Sequence, residues 1–479
     1  MPDKTNYNCI TGFFQNARDK KNYIFHQNEK TIFLEKSEET TLSNILNNIK
    51  FPIWLIRHSI GIPGKEEILT GSLHGKTQKS EREEELENCI LPSGQIRDLV
   101  YRGIKVPVSD RGYSHAVGPI HAGVIEPGHF RFSVEGSVVH SLNIRLGFQK
   151  RNIPELIKGK EPIEVMPFSE AISGDSTIAY STAFCEIYEN ALGIEVADNV
   201  KLIRSILLEI ERVAMHIGDI GAMAGDIGYY PLLGVCSTDR GVPLGVMERL
   251  TGSRFGRGVL YPGEVRLARN LTKDALGDLV KRLQEVFIRV EKHFLRATRS
   301  STIRERLQGC GVVSKIQVHR NSFVGMTARC TGANQDMRFS NPIYGMFSKP
   351  IAIEIEDKNL RGDAWSRFYL RYIELKNSVE WLRNSIPQIQ LSDRTSGEFS
   401  VQKYKQAKPD VYFSSVEGWR GPVLVALDID SHGKILSSYI RDPSVLNWRA
   451  LELAIQGELV MDFPLNNKSF NLSYVGVDL

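Results

Sequence analysis

The chain has 479 residues, enough for two or three domains or one large core with appendages. Its composition, 42% hydrophobic and 24% charged, argues against disorder, and a formal charge of +4 gives no case for a nucleic-acid partner. The six cysteines (Cys9, Cys89, Cys185, Cys236, Cys310 and Cys330) are scattered with no C-x-x-C pair. That excludes a zinc ribbon, a thioredoxin-like motif and the usual iron–sulfur spacing, and free thiols in a reducing compartment are expected. No stretch approaches about eighteen consecutive apolar residues and the first residues lack an apolar secretory region, so membrane contact is expected only through partners.

In chain order, residues 1–75 mix short apolar runs, such as Phe51 to Ile56, with polar turns and predict a small α/β piece. The charged run from Lys76 to Glu87 reads as a solvated linker or helix face. A boundary near residue 92 then divides the chain into 1–92 and 93–479. Beyond it Phe130, Phe132 and Val134 alternate with polar residues, Gly136-Ser137 turn the chain, and Leu142, Ile144 and Leu146 alternate again, which predicts a half-buried hairpin. His140 falls on the Leu142 face and reads as a core histidine. Ser173, Asp175 and Ser176 precede a helix expected from about Thr177 to Tyr188; they cap it, floor a polar pocket, or do both.

From 177 to 310 helical periodicity dominates, broken by glycine and proline clusters around 228–263. On the helix beginning near Asp198, Leu202, Ile206, Ile210, Val213, Ile217 and Ile220 share one arc. Glu209, Arg212, His216 and Asp219 form a polar line beside it. The line is either a salt-bridged surface ladder or a buried titratable chain able to pass protons near neutral pH. A second long helix, predicted from about Ala364 to Arg383 with Asp363 as its N-cap, repeats the pattern with Arg367, Arg371, Glu374 and Ser378. Buried charges need partners, so Arg371 or Arg367 is expected to meet Glu209 or Asp219. Val423 to Ile429 and Ile435 to Ile440 make a second hairpin. The expected fold class is α+β, a central long-helix bundle flanked by antiparallel hairpins, with the small N-terminal α/β domain. Neither a Walker nor a dinucleotide fingerprint occurs, so direct ATP or NAD binding has no support. The spacing of His115, His121, His129 and His140 does not suit a metal site.

Several segments, each weak alone, occur together in one order. They are Gly118-Pro-Ile-His-Ala-Gly123, Glu126-Pro-Gly-His-Phe-Arg-Phe132, Glu170-Ala-Ile-Ser173-Gly-Asp-Ser176, Glu209-Ile-Glu-Arg-Val-Ala-Met-His216-Ile-Gly-Asp219, Gly362-Asp-Ala-Trp-Ser-Arg367, Arg441-Asp-Pro-Ser444 and Asn471-Leu-Ser473-Tyr-Val-Gly476. Over residues 93–479 the chain resembles the nickel–iron hydrogenase large subunits. Within them it resembles the membrane-bound, complex-I-like branch that includes the 49 kDa subunit of complex I.

In the hydrogenases four cysteines hold the nickel–iron centre. Placed residue by residue, those positions fall on Ser173, Ser176, Ser473 and Gly476, which do not suit such a metal. The resemblance therefore implies no bound metal, no directly bound cofactor and no hydrogenase activity of the chain's own. It implies a peripheral subunit of a membrane-bound oxidoreductase complex, on the cytoplasmic face of the inner (plasma) membrane. Its partners would be a small iron–sulfur subunit, which carries the cluster, and membrane antiporter-like subunits. The vacated region becomes a candidate quinone or redox-carrier cavity about His121, His129 and Glu170, with Glu170 standing where complex I has a tyrosine. Glu209, Arg212, His216, Asp219, Arg367, Arg371 and Glu374 become a charged stripe coupled to ion translocation. The alternative is a non-catalytic coupling or scaffold subunit with no ligand. The N-terminal piece is analogous in position to the 30 kDa-like domain fused to some relatives. No catalytic residue is assigned.

Overall fold

The computed structural model describes residues 9–15, 22–27, 32–37, 112–121, 125–333, 335–340, 343, 360–391 and 407–479. Strands β1 (Cys9–Gln15), β2 (Asn22–Gln27) and β3 (Ile32–Ser37) form an antiparallel sheet in that order. The charged linker and the boundary near residue 92 lie outside the described residues.

The hairpin expected around Gly136 is present and gains a third strand: β4 (Tyr113–Val117), β5 (His129–Glu135) and β6 (Val138–Arg145). Phe130, Phe132 and Val134 point into the core, as their alternation predicts. His140 does not. Ser133 pairs with Ser141 and Val134 with Val139, so His140 is the extra residue of a bulge. It turns out to solvent, where its Nε2 lies 3.1 Å from Glu135 Oε2.

Helices follow: α1 (Ile153–Ile157), α2 (Pro162–Ser169), α3 (Thr177–Leu192), α4 (Asp198–Asp226), α5 (Tyr230–Asp239) and α6 (Gly241–Thr251). A two-residue ribbon, β7 (Leu260–Tyr261) and β8 (Glu264–Val265), leads to α7 (Lys273–Ala297) and α8 (Ser301–Leu307). Short helices α9 (Lys315–Asn321), α10 (Gly325–Arg329) and α11 (Met337–Ser340) precede the second long helix, α12 (Ala364–Ser385). The last sheet has the order β11-β10-β9, from β9 (Asp410–Glu417), β10 (Pro422–Ile429) and β11 (Ile435–Arg441). Helices α13 (Pro443–Ala454) and α14 (Phe463–Phe470) and a nine-residue tail, 471–479, end the chain.

The bundle is organised around α4, which packs against α12, α5, α6, α14 and α3. All six residues of the predicted arc, Leu202 to Ile220, are buried. Each contributes roughly 1.5–3 kcal/mol relative to exposure, before chain entropy opposes it. Asp363 caps α12 as expected: its Oδ1 accepts from Ser366 N at 2.8 Å, and its Oδ2 accepts from Gly309 N at 2.9 Å.

Two glycines fix the loop between β9 and β10. A Cβ on Gly325 (φ +58) would lie 2.1 Å from Arg420 O, and one on Gly421 (φ +147) would lie 2.9 Å from Gly325 Cα. Their bare backbones let this loop press on the start of α10, where Met326 N donates to Arg420 O. Trp419 and Arg420 are thereby aimed at the beginning of α3.

Candidate functional site

The loop before α3 and the C-terminal tail, three hundred residues apart in sequence, meet. Ser173 Oγ lies 3.3 Å from Ser473 Oγ. Ser173 Oγ also donates to Asp175 Oδ1 at 2.7 Å, and Gly476 N donates to Ser473 Oγ at 2.9 Å. Three of the four expected positions therefore join one hydrogen-bonded array, and Ser176 joins it weakly, with its Oγ 3.4 Å from Asp175 Oδ1.

The capping role expected of these serines is not observed. Ser176 occupies the N-cap position of α3 without a side-chain cap, because its hydroxyl and that of Ser173 both turn to Asp175. Arg420 explains the attraction: its Nη1 and Nη2 fork onto Asp175 Oδ1 and Oδ2 at 2.8 and 2.7 Å, and it stacks on Trp419. Burial would raise the Asp175 carboxyl, but the guanidinium outweighs burial and holds it below the ordinary range. The fourth position is filled from the side. A Cβ on Gly476 would lie 2.5 Å from Asp442 Oδ2, the oxygen that accepts from Tyr180 OH at 2.6 Å.

A nickel–iron centre does not fit this donor set. Hydroxyls are hard, protonated ligands at neutral pH, the two nearest are hydrogen-bonded to each other, and the fourth position has a carboxylate where a thiolate's stem would pass.

Immediately behind the junction lies the polar line, and it is buried. Glu209, Arg212 and His216 are fully inaccessible and Asp219 is 6% exposed, so the surface-ladder alternative is excluded. Arg371 Nε meets Asp219 Oδ2 at 2.8 Å, the pairing expected from burial. Glu374 is the hub: its Oε2 lies 2.9 Å from His216 Nε2 and 3.4 Å from Arg212 Nη1, while its Oε1 accepts from Arg329 Nε at 2.8 Å. Glu209 accepts from Arg212 Nε and Ser378 Oγ. Burial alone would raise the Glu374 carboxyl, but Arg329 and Arg338 outweigh it and hold it well below the glutamate range. Burial lowers His216 below the ordinary imidazole value, against the pull of Glu374. Arg367 departs from its stripe: it donates to Ser469 Oγ and to the carbonyls of Gly362 and Gly311, and stacks on Phe470.

Sequence reasoning missed half of this layer. Arg329 Nη1 meets Glu417 Oε1 at 2.5 Å, and Arg338 Nη2 meets Asp336 Oδ2 at 2.6 Å. Both arginines sit on or beside short helices, where no periodicity marks a face. Trp419 and Arg420 were also missed; the signal was an arginine inside a Gly-Trp-Arg-Gly turn feeding an apolar strand.

The junction and the buried layer are connected. Asn471 Nδ2 donates to Asp219 Oδ1 at 2.6 Å, while its carbonyl accepts from Arg420 Nε at 2.6 Å. Trp419 Nε1 donates to Asp175 O, and its ring stands edge-on to His216 at 6.3 Å.

His121 and His129 reach the tail from the other side. His121 meets Phe130 edge-on at 5.3 Å and lies 6.4 Å from the ring of Tyr474, the neighbour of Ser473. His129 Nδ1 lies 3.4 Å from Gly118 O. Burial lowers both imidazoles, and both Nε2 atoms are buried without a partner among the described residues. Glu170 is engaged elsewhere, accepting from Gly258 N at 2.7 Å, and burial raises its carboxyl against that hydrogen bond. Among the described residues no hydrogen bond joins it to either histidine.

A helical bundle whose buried charged layer abuts a junction of loop and C-terminal tail is the arrangement that the resemblance to hydrogenase large subunits leads one to expect. Similarity to known proteins agrees with that class. The family model of the respiratory-chain NADH dehydrogenase 49 kDa subunit matches residues 226–411. Membrane-bound hydrogenase subunit alpha of Pyrococcus furiosus is 29% identical over 280 residues, 57% of this chain and 64% of that protein. An NADH-quinone oxidoreductase subunit of Dehalococcoides mccartyi is 26% identical over 72% of this chain and 92% of its own length. Formate hydrogenlyase subunit 5 of Escherichia coli is 26% identical, over 76% of this chain and 62% of that one. The fold matches a chain of the membrane-bound sulfane sulfur reductase, an archaeal respiratory membrane complex, with TM-score 0.66 and 20% identity over 78% of this chain and all of that one. The chain is similar to complex I 49 kDa and hydrogenase large subunits, and these relatives are subunits of membrane-bound, complex-I-like respiratory complexes. Among the described residues no helix is long and apolar enough to cross a membrane.

Proposed function

We propose that this chain is a peripheral subunit of a membrane-bound, complex-I-like oxidoreductase complex that has lost the nickel–iron centre of its hydrogenase relatives. Its junction, bounded by Ser173, Ser473, Asp175 and Arg420 with His121 beyond Tyr474, takes a quinone or another redox carrier. The observation that carries this reading is the Asp175–Arg420–Asn471–Asp219 path, which ties the junction to the buried charged layer by direct hydrogen bonds. Electrons come from an iron–sulfur cluster on a small partner subunit. The layer of Glu209, Arg212, His216, Asp219, Arg371 and Glu374 answers a change of charge at the junction and passes it toward ion-translocating, antiporter-like subunits at the cytoplasmic face of the membrane. Arg367 supports α14 rather than the layer. The three N-terminal strands form part of a separate small domain.

One observation favours a second reading, a coupling or scaffold subunit with no ligand: the direct contact of Ser173 with Ser473, which closes the junction between those two hydroxyls. Purification of the intact complex separates the readings. The first expects a co-purifying iron–sulfur subunit, no stoichiometric nickel, and saturable binding of a short-chain quinone analogue that Arg420→Ala weakens at least tenfold. Stoichiometric nickel would overturn both readings, and absence of any carrier binding leaves the scaffold.

A further inference from the structure

Glu211 lies on α4 but on neither of its stripes, and it takes no part in the charged layer. It is 6% exposed. Its Oε2 accepts from Ile178 N at 2.9 Å, across the helix interface, and so serves the first turn of α3 that Ser176 leaves uncapped. Its Oε1 is buried and, among the described residues, has no hydrogen-bond partner. The charged groups acting on it are Asp175, in the loop before α3, and Arg212, its own neighbour on α4; the other contacts are the backbone N–H groups of Ile178 and Ala179. Neither charge neutralises it. Asp175 repels a carboxylate, and the Arg212 guanidinium is occupied by Glu209, Glu374 and the carbonyls of Glu417 and Gly418.

A buried carboxyl with one idle oxygen, a like charge beside it and no guanidinium of its own favours the neutral acid. The amides of α3 favour the anion. The two are opposed across the wall of the junction.

We propose that Glu211 is a proton-exchange site of the junction: it stores a proton on Oε1 at neutral pH, and losing it places a charge between Asp175 and the start of α3. It is a positioning residue, acting on the junction through that helix end. Burial, first among the causes, pushes the carboxyl up to about 8 against the Ile178 hydrogen bond, in keeping with this geometry. Its role in carrier reduction rests on the function proposed above; its titration does not.

The test uses the full chain without any carrier. Infrared titration from about pH 6 to about pH 10 follows the carbonyl stretch of protonated carboxyls in wild type, Glu211→Gln and Glu211→Asp. The wild type should lose a band with its midpoint near 8. Glu211→Gln, which mimics the neutral acid, should lack that loss, and Glu211→Asp should keep it with a displaced midpoint. Melting gives a second reading. A folded value above the unfolded one means stability falls as pH rises toward about 8, so the Tm advantage of Glu211→Gln over wild type should grow across that interval. Identical band loss in all three chains, or a Tm difference independent of pH, overturns the proposal. Failure of quinone binding in the complex, with this titration intact, would sink the carrier reading and leave the proton site standing.

Discussion

Glu374 holds more charge together than any neighbour in the layer, touching His216, Arg212 and Arg329 from a fully buried position. Removing its charge strands those guanidinia in a medium that cannot solvate them. Glu374→Gln should therefore cost about 3–5 kcal/mol, measured by urea denaturation, and a loss below about 1 kcal/mol would show the layer to be hydrated. Gly476 is constrained by volume instead. Gly476→Ala drives a methyl toward Asp442 and its Tyr180 bond and should cost about 1–3 kcal/mol. Restoring cysteine at the four positions should consequently fail to recruit nickel unless Asp442 is also shortened, which metal analysis of the variants would settle.

Among the elements, α4 and α12 were legible because their apolar arcs persist over many turns. Both long helices and the N-cap of α12 lie close to where the sequence placed them. Asp363→Ala should cost about 2 kcal/mol by thermal denaturation, at the upper end for a cap, because it also strands Gly309 N. Some shorter elements were not legible. Strand β9 was missed because it follows a stretch without clear alternation, and α10 and α11 are too short to show a period. The misreading of His140 has the same origin, since a single bulge shifts the parity of a strand and leaves no mark in its composition.

For the whole molecule, the buried layer predicts how stability depends on pH. Burial lowers His216, so the folded state binds its proton less readily than the unfolded chain does; the resulting stability is complete above about pH 6.5 and is lost as pH falls from there toward the lower folded value. Glu374, held low by Arg329 and Arg338, acts in the same sense: its contribution is complete above about pH 4.3 and is lost as pH falls toward its folded value. Acid should thus destabilise the chain in two stages. His216→Gln should remove the upper one and leave the lower, as read by Tm against pH; a variant that tracks wild type across both would exclude His216 from the layer's titration.

The four cysteine-less positions came from the resemblance; the helical bundle, the hairpins and the stripe of charges on α4 could all be read from the chain alone, because each is a local pattern of residue types. Whether that stripe faced water or core could not. Burial depends on what packs against a face: α12 closes over α4, and α10 and the β9–β10 turn bring Arg329, Glu417 and Arg420 to the layer and its junction from distant segments. Pairing of buried charges is a property of that assembly, and no segment carries it alone.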